Sequence, residues 1–330
     1  MNRREVERLA DRLLLLIRRR PGGTVGMAQL TEELGAPRTE LEAAIAQLET
    51  WGYTFKTARN RLHLTATPDS LTATELKWGL NTGFIGQRLL AYNKVKSTND
   101  IVSREGAAGG VEGTVAVAEQ QTGGRGRLGR GWHSPKRKGI YLSILLRPEF
   151  LPEHAPGLSL MTALALAKTI EATEKIRIKI KWPNDLILND RKVAGILTEL
   201  AAERRRINYV VIGVGINANQ DEQDFPEELR QSATSIRMAV GHEISRVRLV
   251  QNFFREFERE YQLYCREFLA PSLPRLRRYS TLLGEKVRLA SGLQILEGVA
   301  VDIEPGGGLV IERGGKRHVV TAGDVTVVKE

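Results

Sequence analysis

Hydrophobic positions divide the chain into three stretches of different rhythm. In the first, residues 3–20 read as one amphipathic helix stopped by Pro21-Gly22-Gly23. Leu30 and Leu34 then share a helical face, and Gly35-Ala36-Pro37 breaks it. Leu41, Ile45 and Leu48 return at spacings of four and three. Two short helices joined by a glycine-containing turn form the helix-turn-helix pattern. Tyr53 to Phe55 and Leu62 to Leu64 add a small hairpin, a wing. Residues 1–66 are therefore expected to form a winged helix-turn-helix, although a plain three-helix packing domain gives the same periodicity. A linker and a short helix follow, with Thr72 and Glu75 at capping-box spacing.

In the second stretch, apolar segments near 88–95, 114–118, 140–147, 177–182, 185–189, 192–200 and 208–216 predict strands. A helix is expected over 157–173 and a long amphipathic one over 246–268, with Pro271 and Pro274 marking the next break. Several strands follow one another without helices, which predicts a mixed or antiparallel α+β sheet and not a doubly wound one. In the third stretch, five short segments within 284–330, separated by glycine turns, predict a small barrel. There is no internal repeat and no low-complexity tract.

Composition narrows the partners. The 330 residues suit two or three domains, and 42% hydrophobic with 27% charged residues can bury a core. A formal net charge of +10 favours anionic partners and says nothing about fold. Cys265 stands alone, which excludes a disulfide framework or a cysteine-based zinc site within one chain. The apolar run Leu13 to Ile17 is too short to span a bilayer, and a cytoplasmic protein is expected.

Candidate chemistry begins with GGRGRLGRGW, Gly123 to Trp132. Gly124, Gly126 and Gly129 spell G-x-G-x-x-G, but Trp132-His133-Ser134-Pro135 follows and Pro135 stops any helix near its start. The dinucleotide reading fails its context test. Glycines alternating with Arg125, Arg127 and Arg130 instead suit a loop that closes over an anion, each guanidinium offering a planar fork to phosphate or carboxylate. A solvated basic loop and a nucleic-acid loop are the blander alternatives.

Three further stretches carry chemistry. In KWPNDLILNDRK, a turn at Asn184-Asp185 and a hairpin turn at Asn189-Asp190 bring Lys181, Asn184, Asp185 and Lys192 to one end of a hairpin. Lysines suit phosphate, and a carboxylate beside them suits magnesium or a proton. An ordinary charged hairpin reads the same way. In VIGVGINAN, Gly213 and Gly215 allow close ligand approach, and Asn217 can bond a nucleobase or ribose. Ser97-Thr98-Asn99 reads as a helix N-cap or as donors to a urea-like ligand head.

STN, EQQTGGRGRLGRGW, KWPNDL, RKVAGILTE and GVGINAN, in this order and spacing, resemble the biotin–protein ligases. With its N-terminal helices the chain is similar to the bifunctional type that is also the biotin operon repressor. The resemblance covers nearly the whole chain, and the combination of GRGRxGR with KWPND and K-x-A-G-I-L is its specific part. It implies a multidomain α+β architecture: a winged helix-turn-helix over 1–66, a biotin- and ATP-binding domain over 67–280 on a central mixed sheet of the class II synthetase-like kind, and an SH3-like β-barrel over 281–330. It implies an ATP- and magnesium-dependent ligase that makes biotinyl-5′-AMP and then biotinylates a lysine of the biotin carboxyl carrier protein. The chain contains no M-K-M tripeptide, so the acceptor is another protein.

The implied roles follow matching positions. Ser97, Thr98, Asn99, Gln121 and Arg125 meet biotin, with Tyr141 and Gly195 along its tail. Arg127 and Lys192 meet both biotin and the adenylate. Gly124, Arg130, Lys181, Asn184 and Asn217 meet the nucleotide, and Trp132 covers the adenine. Lys192, Asp185 and Arg127 are the catalytic candidates, Asp185 orienting or deprotonating the acceptor lysine. Magnesium arrives through the phosphates, with no protein ligand assigned. Tyr141 and Trp132 also suit plain core aromatics.

Two departures stand out. The second helix of the motif commonly begins S-R-T-x-V-W-K in ligase–repressors, and here reads P-R-T-E-L-E-A. Between Arg38 and Trp51 there is one arginine against Glu40, Glu42 and Glu49, an unfavourable balance beside DNA phosphates. The DNA candidates are therefore Arg38 and Thr39 with the wing residues Lys56, Arg59 and Arg61. An arginine common near the family's C-terminus is here Val328 followed by Lys329. Two other readings remain: a lipoate ligase, disfavoured by the arginine loop, and a non-catalytic biotin-sensing DNA-binding regulator, disfavoured by Lys181, Asp185 and Lys192. A ligand-dependent homodimer on two operator half-sites is expected if both activities coexist.

Overall fold

The computed structural model describes residues 2–291 and 294–328, so Lys329 lies outside the described residues. The chain divides into two units, Met1–Asp69 and Ser70–Glu330.

The first unit contains α1 (Arg3–Arg18), β1 (Thr24–Gly26), α2 (Met27–Leu34), α3 (Arg38–Thr50), β2 (Thr54–Ala58) and β3 (Arg61–Ala66). Asn2 caps α1 reciprocally with Glu5: its side chain accepts from Glu5 N at 3.0 Å, and its own N–H donates to the Glu5 carboxylate at 2.6 Å. Gly35 ends α2 with φ +62°, a left-handed conformation that glycine adopts without strain. Leu13, Leu14 and Ile17 of α1 meet Leu30, Leu41 and Leu48 in a separate buried cluster. The strands run in the order β1-β3-β2, and Arg59-Asn60 form the two-residue turn of the β2–β3 hairpin.

The second unit opens with α4 (Ala73–Lys77), where Glu75 N donates to its cap Thr72 at 3.2 Å. Then come β4 (Leu89–Tyr92), α5 (Thr98–Ala107), β5 (Val115–Ala118), β6 (Ile140–Leu146), α6 (Gly157–Glu174), β7 (Lys179–Lys181), β8 (Asp185–Leu188), β9 (Arg191–Glu203) and β10 (Arg206–Ile216). They are followed by α7 (Ile236–Val240), α8 (Arg246–Glu267) and α9 (Leu273–Tyr279). The seven strands form one mixed sheet, β4-β5-β6-β10-β9-β8-β7, with only β4–β5 parallel. The expected helices and strands of this stretch are present, α5 begins at the Ser97 position read as an N-cap, and α7 and α9 are additions.

Alternation sorts the sheet into two faces. Val210, Ile212, Val214 and Ile216 of β10 join Leu142, Ile144 and Leu146 of β6 in the main core, against α6 and α8. Residues of the other parity face α5, where Val102, Ala116, Leu145 and Val211 make a second small cluster. Beyond α5 this face lies open along Gly213, Gly215, Gly195 and Asp185, and there the cleft forms.

The C-terminal strands are β11 (Lys286–Ser291), β12 (Gln294–Ile303), β13 (Leu309–Arg313), β14 (Lys316–Val320) and β15 (Asp324–Val327). They form an antiparallel sheet in the order β14-β13-β12-β11-β15. Among the described residues β14 and β15 do not pair, so the ladder does not close on itself. The barrel expected from the sequence is thus observed as an open five-stranded sheet: alternation reveals strands, but closure depends on a long-range pairing it does not encode. Trp182 Nε1 donates to Gly307 O at 2.8 Å and ties this sheet to the end of β7.

Candidate active site

A cleft of about 1100 Å³ opens on the α5 face of the large sheet. One end is a buried polar network. Ser97 occupies the N-cap position of α5 without capping it through its side chain, and it lines the cleft. Thr98 donates to Gln121 Oε1 through its N–H at 2.8 Å and its hydroxyl at 3.1 Å. Gln121 Nε2 donates in turn to Ser134 Oγ at 3.3 Å. Ser143 Oγ, on β6, lies 2.7 Å from Thr98 Oγ1 and 2.5 Å from Asn99 Oδ1. Asn99 Nδ2 donates to Glu199 Oε2 at 2.7 Å, which leaves its amide one orientation. Ser97, Thr98, Asn99 and Gln121 are thus gathered as a rigid set of donors and acceptors.

Glycines make this packing possible. A Cβ on Gly213 would stand 2.2 Å from Asn99 Oδ1, and one on Gly215 would stand 2.4 Å from the Trp132 ring. The space that the sequence assigned to a ligand at these glycines is taken first by the protein's own side chains. Trp132 lies over Gly215 and beside Gly195, with Lys192 Nζ 5.3 Å from its ring centroid. Its Nε1 is buried without a hydrogen-bond partner, a donor left for a ligand or water.

The loop arginines differ in their surroundings. Arg125 reaches Asp100 at 2.7 Å and Glu199 at 3.4 Å, and the bond to Asp100 raises its pKa above the ordinary arginine value. Arg130 pairs with Asp324. Arg127 instead donates to neutral oxygens, Asn184 Oδ1 at 3.1 Å and Gly323 O at 3.2 Å. Two loop cations are therefore charge-compensated by carboxylates, while the described bonds of Arg127 leave its charge for an anion.

At the centre, Lys192 Nζ lies 2.7 Å from Asp185 Oδ1, a close charge pair whose angles fall short of a hydrogen bond. Register explains the meeting. Lys181 stands opposite Asp185 and Asp185 opposite Gly195, while the two-residue turn at Asn189-Asp190 carries the chain round to Lys192. Asn184 is buried and donates to Ile196 O at 2.8 Å. Asn217 accepts from Gln220 Nε2 at 3.1 Å and places its Nδ2 3.5 Å from Lys192 O.

The cleft therefore collects Ser97, Thr98, Asn99, Gln121, Arg125, Arg127, Arg130, Trp132, Lys181, Asn184, Asp185, Lys192, Gly195 and Asn217. Two candidates fall outside its lining. Tyr141 is fully buried beneath the loop, its hydroxyl donating to Pro135 O at 3.0 Å, and burial raises its pKa. Gly124 sits where a Cβ would meet Trp132 O at 2.8 Å and Gln121 Nε2 at 2.9 Å, so it shapes the loop's base. Arg38, Thr39, Lys56, Arg59 and Arg61 belong to the other unit and are exposed there, Arg38 pairing with Glu42 at 2.9 Å.

The sequence reading missed several groups. Ser143 and Glu199 organise the polar end, and their alternation with apolar neighbours on β6 and β9 was the available signal. Phe225, Leu229 and Ala233 wall the cleft from irregular segments that carry no periodicity. Arg246 and Glu119 form a buried ion pair at 2.6 Å, and Glu119 also accepts Leu71 N at 2.8 Å. This holds the strand that leads to Gln121.

Comparison with known proteins places this geometry. The Biotin/lipoate A/B protein ligase family matches residues 91–217, and the Biotin protein ligase C terminal domain matches 282–328. The chain belongs to the biotin protein ligase family. It is 36% identical to the bifunctional ligase/repressor BirA of Bacillus spizizenii over 86% of this chain and 88% of that one. It is 31% identical to BirA of Escherichia coli over 87% and 88%. The solved biotin protein ligase from Aquifex aeolicus, in complex with biotin and ATP, is 28% identical with a TM-score of 0.64, covering 74% of this chain and 100% of that one.

Proposed function

We propose that the second unit joins biotin to a lysine of a carrier protein in two steps. First, a biotin carboxylate oxygen attacks the α-phosphorus of ATP. The bond from that phosphorus to the β-bridging oxygen breaks, and pyrophosphate leaves with the electron pair. Second, the amine of a lysine on the biotin carboxyl carrier protein attacks the acyl carbon of biotinyl-5′-AMP. AMP departs, and the amine loses a proton.

The observation that carries this reading is one cleft holding both an end lined by hydrogen-bonding side chains and a cationic centre. The Thr98–Gln121–Ser143 network suits a ureido ring, which both donates and accepts. Lys192 and Arg127 stand where charge grows on phosphorus. Asp185 is the acceptor-only group beside them, placed to orient or receive the proton of the attacking amine. Magnesium, carried on the phosphates, adds charge neutralisation there. Closing the arginine loop excludes water and protects the mixed anhydride from hydrolysis.

Pyrophosphate–ATP exchange tests this reading. Exchange dependent on biotin is expected. Exchange with lipoate alone would move the chain to the sister activity, and exchange with neither would leave a sensing regulator.

We further propose that the first unit is a winged helix-turn-helix that binds operator DNA and makes the protein a biotin-dependent repressor of biotin synthesis genes. Its support is the α2–turn–α3 arrangement and the exposed cationic wing. On this reading adenylate orders the loop and favours a homodimer that spans two half-sites, a coupling of two equilibria. An unchanged dimerisation constant with biotin plus ATP would sink it. We place the functional boundaries at 1–66, 67–280 and 281–330, the last an SH3-like sheet.

A further inference from the structure

Two carboxylates connect the buried donor set to the arginine loop. Glu199, on β9, uses both of its oxygens. Oε2 accepts from Asn99 Nδ2 at 2.7 Å, while Oε1 lies 3.4 Å from Arg125 Nη2. Asp100 Oδ1 accepts from the same Nη2 at 2.7 Å. The sheet explains why Glu199 reaches this point. It stands opposite Val211, and Leu197 opposite Gly213, so Glu199 shares the face of Gly195 and Gly213 on which Asn99 rests. Asp100 follows Asn99 in the first turn of α5, where a carboxylate is stabilised and an uncompensated guanidinium would be repelled.

The loop itself is folded as a short ladder. Arg125 bridges Gly131, Gly126 N–H donates to Arg130 O at 2.7 Å, and Trp132 N–H donates to Gly124 O at 2.9 Å. Leu128 and Gly129 turn it with φ +55° and +74°. Holding Arg125 therefore holds one strand of the ladder, and with it Trp132 on the other. Both carboxylates use Nη2, and among the described residues Nε and Nη1 of Arg125 make no hydrogen bond. Those two donors remain for a ligand carboxylate. From Arg125 a continuous chain of contacts runs through Glu199, Asn99 and Ser143 to Thr98 and Gln121. The groups facing the ligand head and the cation offered to its carboxylate are thus mechanically one unit.

We infer that Glu199 and Asp100 are positioning residues of the ligase reaction: they set Arg125 against the donor network, so that a ligand gripped at its head keeps the arginine loop closed over the acyl adenylate. Glu199 carries the link, because one carboxylate serves both sides. Asp100 fixes the guanidinium from a second direction. Their effect falls on retention of the acid and its adenylate, not on bond making. The inference rests on the adenylation proposed above.

The test measures, in the full chain, the biotin KM and kcat of pyrophosphate–ATP exchange, the half-life of enzyme-held adenylate once free substrates are removed, and the melting temperature. Asp100→Asn is expected to raise the biotin KM and shorten the half-life about two- to fivefold, as a part-exposed ion pair allows, with kcat changing less. Asp100→Glu is expected to restore both. Glu199→Gln keeps an oxygen for Asn99 and loses the charge facing Arg125, so a change of about the same size is expected. Glu199→Ala removes both contacts and is expected to raise the biotin KM about tenfold or more, since Asn99 loses a charged hydrogen-bond partner. Added salt is expected to shorten the parental half-life and to act less on Asp100→Asn. Unchanged half-life and KM in Asp100→Asn and Glu199→Gln, in protein that still forms adenylate, would overturn the inference. So would a fall in melting temperature that tracks the losses, or equal salt sensitivity in parent and variant, since either marks a role in folding alone. A parent that forms no adenylate would sink the reaction proposed above. Calorimetric biotin affinity falling in the order parent, Asp100→Asn, Glu199→Ala would then still support the positioning, and unchanged affinity would overturn it too.

Discussion

The cleft and the first unit's exposed α3–wing face carry charge in opposite ways. In the cleft, Asn99, Gln121, Arg125 and Asp185 each touch a named partner, and two glycines are cleared so that Asn99 and Trp132 fit. On the α3–wing face, Lys56, Arg59 and Arg61 are exposed, and Arg38 is drawn to Glu42 on its own helix. A site that performs chemistry must hold its groups before the substrate arrives. A face that meets DNA phosphates can leave its cations solvated until counterions are released. Changes in the cleft are therefore expected to act on catalysis or folding, and changes on the α3–wing face on salt-dependent association.

The largest effect expected is at Lys192. Lys192→Ala removes the cation beside Asp185, and adenylate formation is expected to fall about a hundredfold or more. The melting temperature is expected to hold, because a part-exposed ion pair contributes little to stability. Single-turnover adenylate formation and a thermal melt check both halves. A near-parental rate would make the pair structural and break the contrast.

Next come the glycines. Gly213→Ala and Gly215→Ala each drive a methyl to within 2.2 or 2.4 Å of Asn99 or Trp132. A destabilisation of about 1–3 kcal/mol is expected for each, read from denaturant unfolding. Gly213→Ala is expected to weaken biotin binding as well, because Asn99 must move. Parental stability in both variants would show that the glycines serve only an incoming ligand.

On the other unit, the triple substitution of Lys56, Arg59 and Arg61 by Ala removes three candidate phosphate contacts. The slope of log binding constant against log salt is expected to shrink by about 2.7. A random-sequence duplex suffices, because backbone contacts are sequence-independent. Adenylate formation, measured alongside, shows whether the catalytic unit is intact. An unchanged slope would remove the wing from the interface.

These outcomes bear on what the sequence could show. The GRGRLGR, KWPND and GVGIN segments were legible because a constrained cleft needs particular residue types at fixed spacing. Period-two alternation also located the large sheet, and the turns at Asn184-Asp185 and Asn189-Asp190 let Lys181, Asn184, Asp185 and Lys192 be placed together from the sequence alone. Tyr141 was harder: its parity is that of Ser143, but the loop ending at Pro135 folds over it, and the sequence does not encode that cover. Phe225 to Ala233 were invisible because turns without periodicity carry no facing rule. The C-terminal strands were legible one by one, but the missing β14–β15 pairing was not, since closure is a long-range property.

The smallest effect sharpens the comparison most closely. Glu42 holds Arg38 at 2.9 Å across one turn of α3, with both side chains more than half exposed. Such pairs contribute about 0–1 kcal/mol, so Glu42→Gln is expected to leave the melting temperature within about a degree or two. The substitution also frees Arg38 and removes one negative charge from a face proposed to approach phosphates. Affinity for the random duplex is expected to rise about two- to fivefold at low salt, and the gain to fade as salt screens it. A rise of that size would show α3 facing the DNA despite its acidic composition. No change, with the wing substitutions still effective, would confine DNA contact to the wing and leave α3 as a packing helix.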